Sequence, residues 1–242
     1  MKVLILINKV GLGDCIIHVN YIHEISKKYG KPVSILAKAN TKAKDLFGDD
    51  PYIDEVITLE RLTDNSGSHD RLNGFFKLAK DIKEKKFDKV FIFNSSLRYF
   101  LICKLAGIKK IAQYPLFKKK GQHIVNTAKI FTENELGKIV STQPKLFVSE
   151  EKISNARKNM SMEHNRVTLG ISASGITKRW GVKNFIKLIK KINEKHPSKF
   201  YLTAGKNDQQ LIDEILNSNI GSNCISLNNL KINEMLPIIA NC

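Results

Sequence analysis

With 242 residues, 42% of them hydrophobic and 26% charged, the chain is long enough to bury a sizeable core. It holds no apolar run approaching the roughly 18–20 residues of a membrane-spanning helix. The formal net charge of +17 gives it an attractive field for anionic partners, and nucleic acid, acidic lipid surfaces and phosphorylated substrates all qualify.

The basic residues are spread along the chain, at Lys27-Lys28, Lys83 to Lys86, Lys118 to Lys120 and Lys187 to Lys191, mostly on polar faces of expected helices. That distribution reads first as solvated surface. No recognised nucleic-acid module is present, nor any basic cluster interleaved with aromatics, which argues against nucleic acid. The four cysteines, Cys15, Cys103, Cys224 and Cys242, are scattered without a CxxC or a histidine at ligand spacing. They point to reduced thiols in a cytoplasmic protein, without zinc or disulfides.

In chain order, "MKVLILINKV" resembles a signal peptide only superficially, since its apolar run is short and no small-residue cleavage site follows. It reads as a first strand. Residues 15–29 carry apolar side chains near helical spacing and stop at Gly30 and Pro32. "PVSILA" is a second strand, "KAKDLFG" a short helix and "IDEVITL" a third strand. The polar "TDNSGSHDR" interrupts before the amphipathic helix "LNGFFKLAKDIKEKKF". A buried strand "KVFIFN", a helix "SLRYFLICKLAG" and a strand "IKKIAQYP" complete the first series.

Residues 118–165 are helical in patches, "HIVNTAKIF" and "EEKISNARKNM", with little sustained periodicity, and are expected to be a crossover between two units spanning 1–150 and 166–242. The second series runs from strand "NRVTLGISA" through helix "VKNFIKLIKKINEKH", strand "KFYLTAG", helix "DQQLIDEILNSN" and strand "NCISL" to helix "NEMLPIIANC". Strands alternating with helices imply α/β units with parallel sheets covered on both faces. With only three strands, the second sheet looks unfinished.

Ligands bind open α/β sheets beyond the carboxyl ends of the strands, so two turns stand out. The first is Gly11-Leu12-Gly13-Asp14, between strand and helix. It matches GxGxxG only in part, because Ile16 replaces the third small residue and the second strand ends at Ala37-Lys38 without a ribose-binding acid. Asp14 is either a helix N-cap or a carboxylate able to take a proton from a hydroxyl nucleophile. The second turn is "GISASGITKRWG", where Ser172, Ser174, Thr177 and Lys178 offer hydroxyls and charge for a phosphate cradle. Arg179 reads equally as a surface residue, and Trp180 as a packing anchor for the next helix. Asp208 in "LTAGKNDQ" is an N-cap or a ribose-facing carboxylate. His18 and His23 are expected to face solvent or partner helices, without chemistry.

The order of "VGLGD", "FNSSLRYFLICKLAGIKK", "SASGITKRW" and "LTAGKND" resembles the ADP-heptose:lipopolysaccharide heptosyltransferases, glycosyltransferase family 9, over essentially the whole chain. "DDPYIDEVITL" adds a further match after the second strand. The resemblance implies a GT-B-like fold of two Rossmann-like domains, the second incomplete here. It implies an inverting transfer without metal or other cofactor. The donor would be an ADP-sugar and the acceptor an anionic glycolipid of lipopolysaccharide core type. It places the catalytic carboxylate on Asp14, the phosphate-binding lysine on Lys178 and a hydroxyl on Ser174. Thr177, Gly11 and Gly13 would add substrate contacts, and Asp208 would face the ribose. Peripheral contact with the inner face of the inner membrane would suit the charge, with "LFKKKGQH" as the candidate segment.

Three departures stand out. Gly11 occupies a position where the family usually has a hydroxyl residue. Gly170-Ile171-Ser172 stands where the family has His-Pro-Gly. The sequence ends at "IIANC", before the family's Asp-Thr-Gly-Pro segment. The expectation is therefore either a C-terminally truncated transferase or a relative that binds an anionic ligand without catalysis.

Overall fold

The structure is a computed structural model that describes residues 1–8, 11–62, 64–116, 123–161, 165–173 and 175–242, the side chains of 176 and 206 excepted. It forms two compact units, Met1–Phe147 and Val148–Cys242.

The first unit is a five-stranded parallel sheet in the order β3-β2-β1-β4-β5. Its strands are β1 (Val3–Ile7), β2 (Val33–Lys38), β3 (Ile53–Leu59), β4 (Lys89–Ile92) and β5 (Lys110–Gln113). All five residues of β1 are buried, as its unbroken apolar run requires of a central strand with both faces covered. Its register sets Leu4 beside Ser34 on one side and Val90 on the other. The period-2 pleat divides these side chains between two layers.

Leu4 and Leu6 join Leu78 and Ile82 of α3 (Arg71–Glu84) and Tyr99 and Ile102 of α4 (Leu97–Leu105) in one cluster. α1 (Leu12–Tyr29) packs with α5 (Ile124–Leu136) in the other layer. There Phe91 and Phe93 meet Phe131 edge-on, at 6.2 and 5.1 Å between ring centroids. Each fully buried Leu, Ile or Phe contributes roughly 1.5–3 kcal/mol. The four-residue α2 (Ala43–Leu46) lies between β2 and β3.

The second unit holds a smaller parallel sheet, β6-β7-β8, built from β6 (Asn165–Gly170), β7 (Ser198–Thr203) and β8 (Cys224–Ser226). Ile189 of α7 (Val182–Lys195) and Ile212 and Ile215 of α8 (Gln209–Leu216) bury Phe200 and Leu202. α6 (Glu150–Lys158) and α9 (Ile232–Ile239) pack against each other. Met235 and Ile238 of α9 cover Tyr201 together with Met160 and Leu227. The stretch expected as a crossover thus carries two helices, α5 in the first unit and α6 in the second. They fall on the two stretches of helical pattern within it, "HIVNTAKIF" and "EEKISNARKNM". α6 buries no residue.

Within the polar "TDNSGSHDR", residues 64–70 form a loop built around one carboxylate. Asp70, 4% exposed, accepts from the Leu62 and Gly67 amides at 2.9 and 3.0 Å and from Arg61 Nε at 2.9 Å. His69 Nδ1 accepts from the Glu60 amide at 2.9 Å, and Arg98 donates to the carbonyls of His69 and Arg71. Gly74 is forced by closeness, since a Cβ there would lie 2.2 Å from the His69 carbonyl carbon. Arg98 thereby ties the start of α4 to the start of α3.

Candidate active site

In parallel α/β units every helix that follows a strand starts at the sheet's carboxyl edge, so both candidate turns lie on such edges by topology. In the first unit Gly11 is the extended N-cap residue of α1, at φ −134° and ψ 159°, and makes no side-chain bond. Asp14 is consequently not the N-cap; it stands three positions further on, in the first helical turn. That corrects the capping alternative. The half-buried Asp14 carboxylate forms no ion pair or side-chain hydrogen bond among the described residues. Its position still gains from the helix dipole.

Next to it, burial and then the negative charge of Asp14 push the Cys15 thiol up to about 12, so Cys15 is inert as a nucleophile. A Cβ at Gly13 would meet nothing within 4 Å, and the backbone there is helical, so neither crowding nor conformation within the described chain calls for glycine.

The histidines near this turn are buried, not solvent-facing. His18 is inaccessible; its Nδ1 donates to the Asp14 carbonyl at 2.6 Å and its ring meets Phe93 edge-on. His23 bonds Asp50 at 2.7 Å and packs on Tyr52, fastening α1 to the β2–β3 connection. Both complete the fold beneath the turn.

The same edge carries a polar network that sequence reasoning missed. Asn94 at the end of β4 donates to Asn8 at the end of β1 (2.8 Å) and accepts from the Ser96 amide (2.7 Å). Gln113 closes it by donating to the carbonyls of Asn94 and Ser96 at 2.9 and 3.0 Å. The signal available was an amide side chain at or near the carboxyl end of β1, β4 and β5.

In the second unit the loops after β6 and β7 are locked together. Ser172 Oγ accepts from the Gly205 amide at 2.8 Å. Arg179 donates from Nε to the Ala173 carbonyl (3.1 Å) and from its terminal nitrogen to Asp208 Oδ1 (2.7 Å). Arg179 is therefore no idle surface residue. Asp208 occupies the N-cap position of α8 yet makes no capping bond, because its carboxylate is committed to Arg179. Thr177 and Lys178 are exposed at the end of a short 3-10 turn, and Lys178 forms no ion pair among the described residues. Gly181, at φ +94°, swings the chain from this loop into α7, a conformation that side chains rarely adopt. Trp180, half exposed, meets Phe185 edge-on at 5.1 Å, as expected of an anchor for that helix. Ser174 and most of "LFKKKGQH" lie outside the described residues.

Among the described residues the first sheet's carboxyl edge thus carries a carboxylate without a cation, and the second sheet's edge an exposed lysine beside a hydroxyl-bearing loop. The family model described as glycosyltransferase family 9 (heptosyltransferase) matches residues 75–242. The chain belongs to that family. It is a glycosyltransferase, and its α/β fold is the GT-B-like one. No curated protein matches the sequence.

Among solved structures, the chain is similar to Escherichia coli ADP-heptose lps heptosyltransferase II, at 20% identity and a TM-score of 0.78, covering 100% of this chain and 77% of that one. It is similar to a family 9 glycosyltransferase of Veillonella parvula DSM 2008, at 16% identity and a TM-score of 0.79 over 100% and 74%. E. coli heptosyltransferase WaaC with ADP-2-deoxy-2-fluoro heptose follows at 13% and 0.68, over 100% and 81%. Among the described residues no group of three or more His, Cys, Asp or Glu could hold a metal ion, and no helix is long and apolar enough to cross a membrane.

Proposed function

We propose that this family 9 transferase moves a heptose or similar sugar from an ADP-sugar to a lipopolysaccharide core or related surface glycan, with inversion at the anomeric carbon. The carrying observation is Asp14, a carboxylate on the sheet's carboxyl edge with no cation against it among the described residues. The names of the E. coli relatives, an ADP-heptose transferase and one holding an ADP-heptose analogue, favour the same donor class.

In this reading Asp14 accepts the proton of the acceptor hydroxyl. The hydroxyl oxygen attacks the anomeric carbon from the face opposite ADP; the new C–O bond forms as the bond to the β-phosphate oxygen breaks. The electron pair leaves on that phosphate, where Lys178 neutralises it with donors of the 172–179 loop, to which we assign Ser174 and Thr177. Arg179 and Asp208 hold the loop in shape, and Asp208 Oδ2 remains to face the ribose. Gly13, small for no internal reason, leaves room for the acceptor beside Asp14, and Gly11 shapes the entry. The reading assigns no cofactor, and it places the enzyme in the cytoplasm against the inner membrane surface.

The test is an ADP titration followed by a transfer assay with ADP-heptose and heptose-deficient lipopolysaccharide, for wild type and Asp14→Ala. Binding with transfer that the substitution abolishes is the expected result. Transfer that survives would remove Asp14 from the mechanism. Wild-type ADP binding without any transfer would favour a binding-only relative.

A further inference from the structure

The carboxyl ends of β1 and β4 form the switch point of the first sheet. The chain leaves β1 for α1 in one layer and leaves β4 for α4 in the other. The two connections therefore part between neighbouring strands, and open α/β sheets bind ligands in the crevice this makes. Asn8 and Asn94, one from the end of each strand, bridge it at 2.8 Å.

The backbone fixes the polarity of that bridge. The Ser96 amide can only donate, so its 2.7 Å bond holds the Asn94 oxygen and turns the Asn94 nitrogen toward Asn8. Gln113 secures the segment by donating to the carbonyls of Asn94 and Ser96. Asn8 must then meet Asn94 with its oxygen. Its own Nδ2, with two N–H groups, is left over, and no described residue accepts from it.

All five residues of β1 are buried, whereas Asn8, directly after them, is half-buried. It precedes, and Asp14 follows, the same strand-to-helix turn. An amide that only met water would gain nothing from being aimed, since water offers donors and acceptors alike. A fixed donor discriminates, because it takes an oxygen lone pair and refuses an N–H.

We propose that Asn8 contacts the acceptor, its Nδ2 donating to an acceptor oxygen beside the hydroxyl that Asp14 deprotonates, and that Asn94 and Gln113 are positioning residues that aim it. The oxygen contacted is a neighbouring hydroxyl or carboxylate. A donor on the attacking oxygen itself would hold back the electron pair that forms the new bond. The part given to Asp14 rests on the function proposed above; the aimed donor does not.

Calorimetric titration with deacylated, heptose-deficient lipopolysaccharide, without donor, tests it alongside the transfer assay. Asn8→Ala should weaken acceptor binding about tenfold, as loss of one hydrogen bond does. ADP binding, and kcat at saturating acceptor, should stay within about threefold. Asn8→Asp keeps the shape and the bond from Asn94 but turns an oxygen outward, and should weaken acceptor binding at least as much. Asn94→Ala removes the aim and leaves the donor. Alone it should weaken acceptor binding about threefold, and added to Asn8→Ala it should weaken it no further. A merely structural role would give losses that add, with ADP binding and melting temperature falling together. Should Asn8→Ala misfold, Asn8→Asp carries the test.

Acceptor binding unchanged in Asn8→Ala would overturn the proposal, and an equal loss from Asn94→Ala with and without Asn8 would remove the positioning. Acceptor binding that needs Asn8, without any transfer, would leave this contact standing and remove the function. Transfer whose acceptor KM ignores Asn8→Ala would do the reverse. A wild type that does not bind the acceptor would remove both.

Discussion

Asp14 and Asp208 both stand where a helix begins at the carboxyl edge of a parallel sheet, and they are in opposite electrostatic situations. Asp208 shares a 2.7 Å bond with Arg179, its side chain 14% exposed, and the pair joins two loops. Asp14 has no cation against it among the described residues and stands beside a glycine that nothing in the fold requires. A carboxylate clamped by a guanidinium serves as a brace. One left without a cation still has its oxygens to offer a ligand. Position on the fold is thus not enough to assign chemistry; what matters is which partner has already taken up the charge.

Five substitutions would sharpen or break this contrast. The largest effect is expected from Asp14→Asn, which keeps the shape and removes the base: transfer should fall roughly 10²–10⁴-fold while ADP affinity holds. A steady-state assay beside calorimetry separates the two, and an equal loss in both would make Asp14 a structural residue.

Lys178→Ala should weaken ADP about 10–100-fold, as loss of a charge-assisted contact does, with no change in melting temperature because the side chain is exposed.

The brace should behave differently. Arg179→Ala and Asp208→Asn should each lower stability by about 1–2 kcal/mol, and the double variant by much less than their sum. A double-mutant cycle in urea reads that coupling, and strict additivity would mean that the pair contributes nothing.

The smallest effect concerns Asp70, a third carboxylate and the most fully satisfied. The Leu62 amide, then Arg61 and the Gly67 amide, hold its carboxyl below the ordinary aspartate value. A depressed value in the folded state means that the stabilisation is complete above the unfolded value, about 3.9, and is lost as pH falls through the folded one. Wild type should therefore exceed Asp70→Asn in urea midpoint at neutral pH, and the gap should close below about pH 4. A gap independent of pH would remove the charge from the explanation.

Much of this was legible in the residues. The continuous apolar run of Val3–Ile7 announced a central strand, and the alternation of strands and helices announced parallel sheets. The order of GLGD, SLR and KRW pointed to family 9, where the chain belongs. Other features were not legible. "TDNSGSHDR" read as an interruption because its order comes from hydrogen bonds to one buried carboxylate, not from periodicity. Arg179 was set aside because its partner, Asp208, lies 29 residues away. Asn8 and Asn94 are 86 residues apart and meet only because β1 and β4 are neighbours in the sheet. That the α4 leucines lie exposed could not be read either, since a helix that is apolar nearly all round does not declare which side the sheet will cover.

The sequence by itself determined the elements, their parallel order and the turns that carry the candidate groups. Those follow from local backbone sterics and from hydrophobic periods of 2 and 3.6 residues, which are written along the chain. Only the tertiary structure decided which charges are free and which are taken, and which apolar side chains stay outside. Coulomb attraction, hydrogen bonding and burial depend on neighbours in space, and here those neighbours are supplied by strands and loops far apart in sequence.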